Sequence, residues 1–178
     1  MSWRDFYARR DIMDAVLKQA RGNQAATLPF EEIDRAEELF GGREQLLLAL
    51  YYRWTQLLGG YLRAELVGPE DSDNSPRDES DNADRATAAW QRAHRKHPTL
   101  RAVLDAGIET YPAVLRPALE REQRMLAISA GLADPYEPVA EITRIGASFL
   151  ALIRHADHVP ARHSGPVGQL MRLLTPAS

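Results

Sequence analysis

The segment from Arg43 to about Leu66 constrains the fold more than any other. Leu46, Leu47, Leu50, Tyr51, Trp54, Leu57, Leu58, Tyr61 and Leu62 recur along it at helical spacing. Steps of three and four place such residues on one side of an α-helix, and a side this broad belongs inside a core. The spacing predicts a central helix. Gly59 and Gly60 interrupt it, and a bend or a close helix contact is expected there. Without such a purpose each glycine costs a helix about 1 kcal/mol against alanine.

The same period runs through the rest of the chain. Phe6, Ile12, Met13, Val16, Leu17 and Ala20 mark a helix from Arg4 to Arg21, with Gly22 and Asn23 as its stop. Pro29 opens a second, with the stripe Phe30, Ile33, Ala36 and Phe40, and Gly41-Gly42 ends it. Proline suits a first helical turn, whose N–H groups lack intrahelical partners, and Glu31 and Glu32 suit its dipole. Further on, Ala86, Ala89, Trp90 and Ala93 form one stripe, and His97-Pro98 starts another through Leu100, Val103, Leu104 and Ile108. Tyr111-Pro112 breaks that helix. Leu115-Arg116-Pro117 restarts the pattern towards Leu126, Ile128 and Gly131. Asp134-Pro135 opens the last strong helix, with Val139, Ile142, Ile145, Phe149, Leu150 and Ile153. A weaker turn or helix covers Val167 to Leu174. No alternating strand pattern and no internal repeat is present. The expected fold is all-α, an orthogonal bundle of about seven to eight helices.

Residues 67–84 break the pattern. Glu70, Asp71, Asp73, Asp78, Glu79, Asp81 and Asp84 stand there against Arg77 alone. With little apolar surface to offset the entropy of ordering, this reads as a solvated, flexible acidic loop. A partner-binding acidic segment is the sharper alternative. The expected organisation is N-terminal helices over 1–66, the loop over 67–84 and C-terminal helices over 85–178, together one compact domain.

Composition narrows the chemistry. The 178 residues include no cysteine, which excludes disulfides and thiolate catalysis, and the formal charge of −3 provides no global attraction to nucleic acid. No apolar run approaches a bilayer span, and charges at Arg4 and Asp5 interrupt the place of a signal-peptide core. A cytoplasmic location without a membrane partner is expected. Phosphate-cradling glycine loops, a Gly-x-Ser-x-Gly elbow, His-Glu-x-x-His and Glu-x-x-His are all missing. Carboxylates read as helix exteriors or as part of the acidic loop. His94 and His97, and His155 and His158 with Asp157 and His163 nearby, have chelating spacing, but helix ends also favour histidine. No catalytic residue, metal or cofactor is assigned, and the expectation is a protein that is not an enzyme.

Tyr51, Trp54, Tyr61 and Trp90 are the candidate ligand-binding residues. Aromatic walls line small-molecule pockets, and they also simply fill cores, which is the commoner outcome. The ligand expected on the first reading is small and apolar or aromatic.

The order of these segments resembles the TetR family of transcriptional regulators. Asp11 to Leu17 is similar to that family's first helix, Phe30-Glu31-Glu32-Ile33 to the start of its second, and Phe40-Gly41-Gly42-Arg43-Glu44-Gln45-Leu46 to the entry to its fourth. His97 to Arg101, Leu115 to Leu119 and the last apolar helix resemble its ligand and dimer helices. The resemblance implies a homodimer with an N-terminal helix-turn-helix and a ligand-binding bundle. The chain departs from that pattern between Ile33 and Phe40, where too few residues stand for a turn plus a separate helix to enter the major groove. From Glu31 to Glu44 the acids Glu31, Glu32, Asp34, Glu37, Glu38 and Glu44 outnumber Arg35 and Arg43, and such a surface repels phosphates. Arg9, Arg10, Lys18 and Arg21 are interleaved with Asp5, Asp11 and Asp14 and read as helix-surface pairs.

Dimerisation is expected through the last strong helix. Gly146, among Ile142, Ile145, Phe149 and Ile153, would let a second copy approach across a two-fold axis. An internal packing helix of the same composition is the competing reading. Three functions stay open: a TetR-like regulatory bundle that senses a small molecule or acts as an adaptor, a DNA-binding repressor with an altered N-terminal reader, and a metal-binding or enzymatic bundle.

Overall fold

In a computed structural model, which describes residues 3–22, 30, 33–66 and 79–158, the leucine-rich segment is one uninterrupted helix. The described residues form seven helices and no strand: α1 (Trp3–Gly22), α2 (Ala36–Phe40), α3 (Arg43–Leu66), α4 (Glu79–Lys96), α5 (Pro98–Thr110), α6 (Pro112–Ser129) and α7 (Val139–His158). The protein is an all-α helical bundle. The expected turn or helix at 167–174 lies outside the described residues.

Helix α3 is the axis of the bundle, touching α2, α4, α5 and α6. Leu46, Leu47, Leu50, Tyr51, Trp54, Leu58 and Leu62 are buried on it. Each such leucine contributes about 1.5–3 kcal/mol of transfer free energy. Gly59 and Gly60 serve no close contact: a Cβ at Gly60 would meet nothing within 4 Å. The close approach belongs to Gly107 on α5, where a Cβ would lie 2.9 Å from a Leu47 methyl and 3.2 Å from one of Leu115.

Several boundaries differ from the sequence pattern. The second helix is only α2, because residues 33–35 form a turn and Arg35 takes a left-handed backbone, φ 66°. Residues 79–84 extend α4 backwards and leave the acidic loop; acidic sequence is what a helix N-terminus accommodates. Helix α6 begins at Pro112, so Pro117 lies inside it. In α1 the buried stripe is Ile12, Val16 and Ala20, whereas Phe6 is exposed and rests against Trp3 and Tyr7.

The α6–α7 pair has the most extensive helix contact in the bundle. Gly131 ends α6 with φ 70°, its N–H bonded to the Ile128 carbonyl while the Leu132 N–H reaches Ala127. This paired closure caps the free carbonyls of a helix end and turns the chain back. Helix α7 then lies against α6 so closely that a Cβ on Gly146 would stand 2.0 Å from the Gln123 carbonyl oxygen. Ile142, Phe149 and Ile153 are buried within the same chain, and Ile145 is half-buried against Ile142, Ala127 and Ala133. The five residues assigned to a dimer face thus form the internal seam of the bundle, because the small residue admits α6 of its own chain.

Candidate functional site

Two places concentrate polar chemistry. The first is in the interior. Glu122 is completely buried on α6, on the line of Leu115, Leu119 and Leu126. Trp54 Nε1 from α3 and Trp90 Nε1 from α4 donate to its Oε1 at 3.0 and 3.1 Å. The Tyr51 hydroxyl donates to Oε2. Arg101 from α5, 1% exposed, donates from Nη1 to both oxygens at 3.2 and 3.1 Å. Its Nε and Nη2 bind Asp105, the latter at 2.7 Å, and Arg154 Nη2 from α7 reaches the same carboxylate at 3.1 Å. The guanidinium also lies 5.3 Å from the Trp54 ring centre.

Burial pushes the Glu122 carboxyl up, but the Arg101 charge and the donors Tyr51, Trp54 and Trp90 outweigh it and hold the group below the ordinary carboxylate range. Burial, then the neighbouring Glu122 charge, holds the Tyr51 hydroxyl protonated well above its ordinary range. Burial lowers the Arg101 pKa, yet Glu122 and Asp105 raise it further. The result is an ion pair whose oxygens are all engaged, with no acceptor position turned towards a substrate. Buried charges survive when paired and hydrogen-bonded in this way.

The predicted aromatic wall is thereby located. Tyr51, Trp54 and Trp90 do converge, on Glu122 and Arg101. Tyr61 stands apart, half-buried, with its ring 6.2 Å from that of His97. Sequence reasoning missed Glu122 and Arg101, having placed carboxylates outside. The signal was present: each charge falls at helical spacing within an apolar stripe, Glu122 between Leu119 and Leu126, Arg101 in line with Leu104 and Ile108.

The second place is a cleft of about 240 Å³ between α1, α3 and the α4–α5 junction. Lys18 and Arg21 reach it from α1, Arg53 from α3, and Lys96 and His97 from the junction. Asp14 also lines it, bound to Arg53 at 2.5 Å. Among the described residues no carboxylate forms an ion pair with Lys18, Arg21 or Lys96. Two members of the expected helix-surface pairing therefore line this cleft instead. Burial and the nearby Arg53 charge hold the His97 ring below its ordinary range.

The rings of His94 and His97 part company. His94 packs on the Trp90 ring at 5.1 Å while His97 faces Tyr61, and no group of three metal-ligating residues comes together among the described residues. His163 lies outside them. No described helix is long and apolar enough to cross a membrane.

Fold and interior define an all-α bundle closed on a buried glutamate–arginine pair. Comparison with family models, curated proteins and solved structures returns no match.

Proposed function

We propose that the chain is a ligand-responsive regulatory bundle, TetR-like in its order of helices, that acts without inserting a helix into DNA. The observation that carries this reading is the position of the cleft. It lies where α1 meets α3 and the start of α5, so a molecule seated there touches the N-terminal helix and the main bundle together. Such a ligand biases their relative arrangement by its differential affinity. The aromatic interior gives this role less support, since its centre is filled by Glu122 and Arg101.

The short N-terminal region argues against a groove reader. Between Phe30 and Arg43 the described residues include one helix of five residues, with Glu37 and Glu38 in its first turn. A homodimer belongs to the reading as well; on α7 the apolar side chains Val139 and Leu152 are left 63% and 68% exposed, on separate sides of the helix.

Thermal-shift screening against a metabolite library, followed by hydrogen exchange, tests the proposal. A hit should raise the melting temperature and slow exchange in α1. If no compound stabilises the protein, ligand response is lost as a function. DNA titration addresses the repressor alternative: sequence-specific binding that weakens steeply with salt would replace this reading.

A further inference from the structure

We propose that the α1–α3–α5 cleft is a binding site for a small phosphorylated anion of about diphosphate size. The inference names the ligand class for the regulatory reading above and rests on it for its biological role.

Charge supplies the first argument. The chain as a whole carries −3, yet Lys18, Arg21, Arg53 and Lys96 converge on one cleft against the single carboxylate of Asp14. That carboxylate is already engaged by Arg53. Lys18, Arg21 and Lys96 remain without a carboxylate among the described residues, and a multiply charged anion is their complement.

Direction supplies the second. The donors approach from three sides: α1, α3 and the α4–α5 junction. A tetrahedral phosphoryl group accepts hydrogen bonds from several directions at once, whereas a carboxylate accepts in one plane. The backbone adds to the set. Thr99 and Leu100, in the first turn of α5, line the cleft, and the N-cap residue His97 makes no side-chain cap to that turn. Their N–H groups have no acceptor within the helix, and the helix dipole favours negative charge there.

Size supplies the third. A volume of about 240 Å³ accommodates a diphosphate group or a small phosphorylated metabolite. A larger, open depression on α6 and α7 lacks this excess of charge: its Arg144 is paired with Glu141, and its Arg124 shares the lining with the carboxylate of Glu120.

The test is calorimetric titration of the full chain with inorganic diphosphate and with fructose 1,6-bisphosphate, against citrate and against sodium sulfate at matched ionic strength. Saturable binding of a phosphorylated probe is expected, about tenfold or more weakened in Lys18→Gln/Lys96→Gln and unchanged in Arg116→Gln, which lies on exposed α6 surface. Circular dichroism confirms that each variant is folded; if the double variant is not, Lys18→Gln alone must weaken binding. Absence of saturable binding, equal binding of citrate, or unaltered affinity in a folded Lys18 variant would each overturn the site. Stabilisation by unphosphorylated metabolites without diphosphate binding would remove the phosphate assignment and leave the regulatory reading in place. Diphosphate binding with no slowing of exchange in α1 would keep the site and remove that reading.

Discussion

The guanidinium of Arg101 stands 3.1 Å from the carboxylate of Glu122 in the interior, where their side chains are 1% and 0% exposed. Ion pairs in so dry a place gain Coulomb energy and lose hydration in similar measure, so their worth lies in being complete.

Breaking that pair on one side should therefore be costly. Glu122→Ala leaves Arg101 with Asp105 as its remaining carboxylate and strands the indole donors of Trp54 and Trp90. We expect a loss of about 3–5 kcal/mol in urea-unfolding free energy. The double variant Arg101→Met/Glu122→Leu should lose clearly less than the sum of the two single changes, because neither charge is left behind. Additive losses would show that the two groups do not act as a pair.

The same pair predicts an acid response. Glu122 is held below the ordinary carboxylate range in the folded chain. The folded state thus binds the proton later than the unfolded state does. Stability from this group is complete above the unfolded value of about 4.3 and is lost as pH falls through the lower folded value. Urea midpoints measured from neutral pH downwards should fall in wild type more steeply below that value than in Glu122→Gln.

Two glycines should respond in opposite senses. Gly146→Ala drives a methyl to within 2.0 Å of the Gln123 carbonyl oxygen and forces α7 away from α6. A destabilisation of at least about 1–3 kcal/mol is expected. Gly60→Ala meets nothing within 4 Å inside a continuous helix and should stabilise by about 0.4–1 kcal/mol. Melting temperatures of the two variants check both signs.

His97 offers a spectroscopic reading of the cleft. Burial and the Arg53 charge depress its pKa. Lys18 and Arg21 of α1, with Asp14, and the adjacent Lys96 share its surroundings. Folding therefore disfavours the protonated ring, and stability contributed by the neutral form declines as pH drops through about 6.5. An anion in the cleft should raise the His97 value. Titration by NMR with and without diphosphate measures the change, and no upward movement would argue that the anion sits elsewhere.

Local periodicity carried most of the architecture. Leu46 to Leu62 announced α3, and the steps from Ile142 to Ile153 announced α7, because burial on one face leaves that imprint on any amphipathic helix. What periodicity could not distinguish was the identity of the buried neighbour. Gly146 marked a close helix approach, but the partner is α6 of the same chain, a fact set by the turn at Gly131 rather than by α7 itself. Charge was read less well. Glu122 looked like any solvated acid until Trp54 and Trp90, far away in sequence, proved to point their N–H groups at it. The cleft was similarly hidden. Lys18 and Lys96 belong to different helices, and only the packing of α1 beside α5 brings them to one opening.

Because one carboxylate collects donors from α3, α4 and α5 while being carried on α6, these helices cannot loosen independently. Withdrawal of any of them deprives the carboxylate of a donor that water cannot replace in the closed interior. Opening of the bundle should accordingly be a single cooperative event: exchange-protected amides on α3, α4, α5 and α6 would share one opening free energy, while α1, which packs on α5 and pairs Asp14 with Arg53 of α3 but sends no donor to this carboxylate, should open at a lower one.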